Sequence, residues 1–371
     1  MSSNKPVIVY GASGYTGMLV MEELINLGIP FIAAGRDADR ISQMMKERVV
    51  GLESADYEIV AVAHEAEALA ELFSGARVVC NTVGPFQSYY KAVLDAALIA
   101  GCHYMDTTGE QAYILKALEE GYGERFADKG LLFAPSTSYM YTMAEIASEL
   151  CLETPGIDSL NVAVIPTGTP TVGSTNTIFG MLSEQPYKLE NNTLVPMQKG
   201  VGWEVSVPGH IRNILCHHWT GTCLPVTYQN DPRVRNCEAM VGFGNRELME
   251  QVIGMEQYWM ENLKDLPVQQ QMEALAKLAG DVTPVMPPRE LPARARNIDH
   301  VEARGDTAYA SCTMISYNAY VLTGALQAWG VEYLLADAHQ RTGYASACQA
   351  FGHRNLLGRL QGRGFVSYRL S

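Results

Sequence analysis

Three features of the sequence predict an α/β fold: a doubly wound parallel sheet, then a second α+β domain, then a C-terminal helical segment returning to the first domain. Short apolar runs alternate with amphipathic stretches through the first 135 residues, a glycine-rich turn joins the first run to the first helical stretch, and the rhythm changes after Pro135. Buried runs separated by helices are characteristic of parallel strands, whose crossover helices cover both faces of the sheet.

Taken in order, Val7-Ile8-Val9-Tyr10 reads as the first strand. Thr16 to Leu27 sets Val20, Leu24 and Leu27 on one helical face, and Gly28 is its stop. Phe31 to Ala34 is a second strand, followed by Asp37 as a candidate N-cap. Strands are expected at Glu58–Val62, Val78–Thr82, His103–Asp106 and Leu131–Ala134, with helices at Glu65–Phe73, Tyr90–Ala100 and Ala112–Asp128. Beyond Pro135, Leu160–Ile165 reads as a strand. Polar loops rich in Trp and Tyr follow, with amphipathic helices near Arg246–Leu263 and Val268–Leu278 and a loop punctuated by Pro284, Pro287, Pro288 and Pro292. Val301–Arg304 and Thr307–Tyr317 suggest a hairpin turning at Gly305-Asp306. Tyr320–His339 and Gln349–Leu360 read as helices, and Phe365–Leu370 as a last strand. The expected domains are 1–145, 146–320 and 321–371, the last packing back on the first.

Composition narrows the function classes. The 371 residues are 47% hydrophobic and 18% charged, with a formal net charge of -13. Such an acidic chain lacks the clustered Lys and Arg that nucleic acid or an anionic membrane requires. No apolar run reaches the roughly 18 residues of a membrane span. The N-terminus is short and polar, so the expectation is a cytoplasmic protein. The eight cysteines, at 80, 102, 151, 216, 223, 237, 312 and 348, form no C-x-x-C pair and are expected as reduced core thiols. The Asn191-Asn192-Thr193 sequon then carries no meaning as a glycosylation site. A small-molecule substrate is the expected partner, and a homodimer is compatible with the sequence.

Gly11-Ala12-Ser13-Gly14-Tyr15-Thr16-Gly17 lies between the first strand and the first helix with the spacing G-x-x-G-x-x-G. Gly11 permits a tight turn, Gly14 lets the backbone approach a pyrophosphate, and Gly17 lets the helix pack closely on the sheet. Backbone N–H groups from Ser13 through Tyr15 to Thr16 would point at the phosphates, aided by the helix dipole, and the Ser13 and Thr16 hydroxyls can add bonds. This is a Rossmann-type nicotinamide dinucleotide signature. The second strand ends Ala34-Gly35-Arg36-Asp37, without the acid that would take a ribose 2′-hydroxyl in the usual place. Gly35 leaves room for a 2′-phosphate and Arg36 offers a fork of donors, which favours NADP over NAD. Two rival readings stay open: Asp37 caps a helix while Arg36 points to solvent, or Asp37 takes the ribose.

Two later segments carry a resemblance. They are Val78-Val79-Cys80-Asn81-Thr82-Val83-Gly84-Pro85-Phe86 and Gly101-Cys102-His103-Tyr104-Met105-Asp106-Thr107-Thr108-Gly109-Glu110. With the glycine loop, their order and spacing resemble the saccharopine dehydrogenase-like oxidoreductase family, including its trans-acting enoyl reductase branch. The resemblance implies a Rossmann domain with NADP, and places Asn81, Thr82, Val83, Gly84, Pro85 and Asp106 at the cofactor. It implies hydride transfer to an activated C=C bond, or to a C=N bond as in saccharopine chemistry. Where many family members carry a G-F-D-x-x-P-S-D-like stretch, this chain has Ala134-Pro135-Ser136-Thr137-Ser138-Tyr139-Met140-Tyr141-Thr142-Met143, with tyrosines and hydroxyls in place of acids.

Reduction also requires a proton, and Tyr139, Tyr141, Asp106 and His103 are the candidate donors beside water, with Tyr139 preferred because it follows a strand ending at the cofactor edge. Cys216-His217-His218, Cys223 and Cys237 lack zinc-ligand spacing, so no metal is expected. His210 and Trp203 are candidates for a substrate cleft. The absence of a clustered Arg pair, apart from Arg233/Arg235 in a polar loop, favours a largely apolar substrate over a dicarboxylate. The reading from another class is a nucleotide-binding protein without turnover.

Overall fold

The computed structural model describes residues 5–168, 170–218, 223–282, 285–286 and 295–371. Pro284, Pro287, Pro288 and Pro292 of the expected proline loop lie outside the described residues. The chain divides into two compact units, one of Met1–Thr108, Leu115–Tyr139 and Tyr320–Gly352, the other of Gly109–Ile114, Met140–Ala319 and His353–Ser371.

Strand and helix alternate first as β1 (Val7–Tyr10), α1 (Tyr15–Asn26), β2 (Phe31–Gly35), α2 (Ala38–Arg48), β3 (Tyr57–Ala61) and α3 (Ala66–Phe73). There follow β4 (Val78–Asn81), α4 (Phe86–Ala100), β5 (His103–Asp106), α5 (Gln111–Glu119), α6 (Tyr122–Asp128), β6 (Leu132–Ala134) and α7 (Tyr139–Leu152). The second part continues through β7 (Ser159–Ile165), α8 (Val172–Met181), β8 (Tyr187–Glu190), β9 (Thr193–Pro196), β10 (Trp203–Val205), β11 (Ile214–His217), α9 (Leu224–Tyr228) and β12 (Asn236–Gly242). It ends with α10 (Arg246–Asn262), α11 (Val268–Val282), β13 (Arg296–Arg304), β14 (Tyr309–Tyr317), α12 (Ala319–Leu335), β15 (Gly343–Tyr344), α13 (Ala347–Phe351), α14 (His353–Gly362) and β16 (Val366–Leu370).

In the first unit the strands run parallel in the order β15-β6-β5-β4-β1-β2-β3. This is the doubly wound order of a Rossmann sheet, with its switch point between β1 and β4. Every residue of β1 and β4 is buried, which is why Val7–Tyr10 and Val78–Cys80 read as continuous apolar runs. The single helix expected over Ala112–Asp128 is two helices, because Gly121 takes a left-handed φ of 77° between them. Helix α4 begins at Phe86 rather than Tyr90, with Pro85 as its N-cap.

In the second unit the path is β10-β11-β12-β7-β13-β14-β16, with the β8–β9 hairpin joined to β12. Within it β12 and β7 are parallel and the other paired neighbours antiparallel. The expected hairpin starts earlier than its alternation suggested, since β13 pairs with β14 from Arg296↔Tyr317 to Arg304↔Tyr309. Its turn needs Gly305, where a Cβ would lie 1.6 Å from the Gly156 carbonyl oxygen. The segment expected to return whole to the first domain divides at Gly352. Residues 320–352 belong to the first unit, whereas β16 pairs with β14 from Cys312↔Leu370 to Ser316↔Val366. The backbone groups of a strand need partners, and the edge of β14 supplies them to β16.

Candidate cofactor and active site

The register of the parallel sheet sets Ala34, Tyr10, Asn81 and Asp106 side by side at the carboxyl ends of β2, β1, β4 and β5. Ligands of such sheets sit outside this edge. The glycine loop leaves β1 here. The N–H groups of Gly11 and Ala12 donate to the Ala34 carbonyl at 2.9 and 3.1 Å, which pins the turn to β2. Gly11 has φ +93°, and a Cβ on it would meet Thr82 Oγ1 at 2.6 Å. At Gly17 a Cβ would lie 2.5 Å from the Gly11 carbonyl oxygen, so this glycine is what lets α1 start so close to the strand. Gly14 is the N-cap of α1, no side chain caps it, and no acid occupies the first turn. The first N–H groups of a helix have no intrahelical partner, and here they face a glycine turn open to an anion. Ser13, Gly14 and Thr16 are partly exposed, while the buried Tyr15 ring meets Tyr320 of α12 edge-on at 5.1 Å. These residues fit a diphosphate.

Asp37 follows β2 as the N-cap of α2. Its carboxylate accepts the Arg40 N–H at 2.9 Å and caps α2, and Arg36 is exposed beside it. A partner that the sequence did not reveal stands nearby: the Tyr10 hydroxyl and His64 Nδ1 are 2.9 Å apart with stacked rings, and Tyr89 packs edge-on to His64. Burial pushes the Tyr10 phenol up to about 12, with the Arg36 charge acting in the opposite direction. Burial also lowers His64, opposed by a hydrogen bond to the Tyr89 backbone, and Arg36 adds to the lowering. Arg36 thus acts electrostatically on the rings beyond the ends of β1 and β3, where a phosphate would offset its charge.

The family-pattern residues form a hydrogen-bonded chain inside this edge. Asn81 Oδ1 accepts the Val83 N–H at 3.0 Å, and Asn81 Nδ2 donates to the Tyr104 hydroxyl at 2.9 Å. Tyr104 donates in turn to Asp106 Oδ2 at 2.9 Å. Asp106 Oδ1 accepts the N–H groups of Thr108 and Ser136 at 2.9 and 3.0 Å. Thr82 Oγ1 donates to the Tyr10 carbonyl at 3.0 Å. The side chains of Asn81, Thr82 and Asp106 therefore shape the loops that leave β4, β5 and β6. The partly exposed Val83, Gly84 and Pro85 are the part of that loop open to a ligand. Gln327 of α12 donates to the backbone oxygens of Asp106 and Thr137 at 2.9 and 2.8 Å, fastening the helix across the same strand ends.

Of the candidate proton donors, Tyr139 begins α7, is 1% exposed, and donates its backbone N–H to Thr323 Oγ1 of α12. Tyr141 lies in the second unit, and burial, with Cys223 and Glu110 adding, holds its phenol well above the ordinary range. His103 is a correction: it is the first residue of β5, at the opposite edge from the cofactor loops. Its Nδ1 accepts the Leu132 N–H at 3.0 Å, and burial, His339 and Arg77 lower it to about 4. Ser136 went unnoticed as a site residue. It has φ 60° and a buried Oγ with no hydrogen-bond partner among the described residues. In the second unit His210 is exposed, and Trp203 packs edge-on to His218 at 5.6 Å. Arg233 is forked onto Glu149, with 2.9 Å to each carboxylate oxygen, and also bonds Asp231. All eight cysteines are buried.

The sheet order, the glycine cradle and the uncapped helix start define a dinucleotide-binding domain of Rossmann type joined to an α+β unit. Residues 142–370, well over half the chain, match the family of unknown function DUF5938, and the protein belongs to that family. Residues 7–133 match the saccharopine dehydrogenase NADP binding domain, so the cofactor of this domain is NADP, in keeping with Gly35 and Arg36. Similar curated proteins include a lipid droplet localized protein of Caenorhabditis elegans, 34% identical over 136 residues, which are 35% of this chain and 32% of that protein. The human saccharopine dehydrogenase-like oxidoreductase is 29% identical over 147 residues, 36% and 34% of the two chains. The trans-acting enoyl reductase of Mycobacterium bovis is 31% identical over 127 residues, 33% and 30%. The chain thus spans about a third of the length of the curated relatives it matches. Among solved structures, apo saccharopine dehydrogenase (L-Glu forming) from Saccharomyces cerevisiae superposes with a TM-score of 0.62 at 11% identity, covering 99% of this chain and 100% of that one, a likeness of fold. No described helix is long and apolar enough to cross a membrane.

Proposed function

We propose that the protein is an NADPH-dependent reductase of an activated C=C bond in a largely apolar small molecule, acting in the cytoplasm. The observation that carries the reading is the uncapped start of α1 over the Gly11–Gly17 turn, with Arg36 exposed at the end of β2. That arrangement offers N–H groups to a diphosphate and a guanidinium to a 2′-phosphate. The enoyl reductase name of one relative supports the choice of bond. The engagement of Arg233 by Glu149 and Asp231 supports the choice of substrate, because that guanidinium is not offered to a dicarboxylate.

The bound nucleotide supplies a hydride, and the protein must orient the acceptor and deliver a proton. Tyr139 is assigned the proton, at the start of α7 where the loop after β6 ends. Asp106 and Asn81 are positioning residues that hold the loops in place through Tyr104. Ser136 Oγ is a donor or acceptor for the ligand. Tyr141, with its raised pKa, is the weaker donor of the two tyrosines. A homodimer is the expected assembly.

Purified protein should oxidise NADPH with a panel of conjugated enoyl esters, thioesters and enones. Turnover restricted to amine and 2-oxo acid mixtures would shift the assignment to C=N reduction. Nucleotide binding without oxidation by any acceptor would make the protein a non-enzymatic binder.

A further inference from the structure

Outside the nucleotide domain, one side-chain cluster of the second unit has the chemistry of a ligand set. His217, the last residue of β11, and His218 beside it both turn toward Glu256 of α10. His217 Nε2 lies 3.0 Å and His218 Nε2 3.6 Å from the same oxygen, Glu256 Oε2. One ligand atom from each of the three residues falls within a mutual 4.8 Å. All three side chains are sealed, at 2% exposure or less. Successive residues of a strand point to opposite faces. Two adjacent imidazoles meeting one carboxylate therefore require the chain to turn where β11 ends, and the rings lie 4.1 Å apart between centroids.

The donor types suit a cation: imidazole nitrogen and carboxylate oxygen are both ligands that zinc takes. The Glu256 oxygens are divided. Oε2 faces the imidazoles and takes the Gly200 N–H, while Oε1 faces Lys199 at 3.8 Å. Lys199 is held on that far side by the Leu182 and Glu184 carbonyls and lies over the Trp259 ring at 4.0 Å.

We propose that His217, His218 and Glu256 form a buried divalent metal site of the zinc class that ties β11 to α10. Two imidazoles and a carboxylate suit zinc, and three protein ligands leave one tetrahedral position for water. Sequence spacing could not show it, because the carboxylate comes from a helix that follows two further elements of the chain.

The test uses the full chain purified without a histidine tag, stripped with a chelator and titrated with zinc sulfate or cobalt chloride. Expected are one equivalent of metal retained through gel filtration, a rise of several degrees in Tm, and the visible absorption of tetrahedral cobalt. Glu256→Gln and His218→Ala should lose the metal and its Tm increment. If either variant fails to fold, wild-type stoichiometry and the cobalt spectrum decide alone. No retained metal, or retention undiminished in folded variants, overturns the proposal. NADPH affinity should be the same in stripped and loaded protein, so this result is independent of the first unit.

Discussion

The Tyr104 hydroxyl donates to Asp106 Oδ2 at 2.9 Å, and by doing so links three loops at the cofactor edge. Upstream it accepts from Asn81, whose carbonyl holds Val83; downstream the other oxygen of Asp106 holds Thr108 and Ser136. Tyr104 and Asp106 are two residues apart on β5, hence on the same face. Tyr104→Phe removes the hydroxyl that joins the two halves, and a stability loss of about 1–2 kcal/mol is expected by urea unfolding. Asp106→Asn turns an amide toward N–H donors in a fully buried site and should cost about 2–3 kcal/mol. A positioning role predicts that both variants raise KM for NADPH while the residual kcat keeps the wild-type pH profile.

Arg36 is exposed, and the proposed function gives it a part in cofactor choice rather than in the fold. Arg36→Ala should weaken NADPH binding roughly 10- to 100-fold, the value of a charge-assisted bond to phosphate, and leave NADH binding unchanged. Titration calorimetry with the two nucleotides checks this, and an equal loss for both would contradict it.

Gly14 approaches the site through its backbone, with only the Gly11 carbonyl among the described residues near its missing Cβ, at 3.2 Å. Gly14→Val places a branched side chain where a diphosphate must lie. NADPH affinity is expected to fall roughly 10- to 100-fold as bonds from the helix start are lost. Circular dichroism should show the secondary structure retained.

Tyr139→Phe tests the proton donor. Loss of a general acid should lower kcat roughly 100-fold or more with NADPH affinity unchanged. Unchanged kcat would assign the proton to water. Ser136→Ala, which removes a buried hydroxyl without a hydrogen-bond partner among the described residues, should raise KM for the acceptor and spare stability.

His103 makes the fold acid-sensitive. Its folded pKa of about 4 lies below the ordinary value of 6.5, so between these pH values the unfolded chain binds the proton and the folded one does not. Stability is therefore lost as pH falls from 6.5 toward 4, by about 2–3 kcal/mol from this group. His103→Asn should flatten that part of the stability curve, read as Tm against pH.

The first unit was largely legible because its strands are buried on both faces and its turns use glycine. Val7–Tyr10 and Val78–Cys80 announce themselves as unbroken apolar runs. The second unit hid its edge strands. Tyr187–Glu190 and Thr193–Pro196 are four residues each and half exposed, with no clean alternation. Their turn was written in the sequence all the same. Asn191 and Asn192 take φ of 49° and 61°, the left-handed conformation asparagine tolerates, so the sequon residues are a hairpin turn. At the nucleotide edge the motifs located the residues, but side-chain direction was beyond them: Asn81 and Asp106 bond inward. Tyr10 with His64, and His217 with Glu256, are pairs far apart in the chain, which no local pattern encodes.

The central claim is that the start of α1 and Arg36 together hold NADP. The most direct measurement is calorimetric titration of the purified full chain with NADPH and with NADH. Expected is saturable one-to-one binding of NADPH, tighter than NADH by about tenfold or more. Failure to bind either nucleotide, or equal affinity for both, would contradict it.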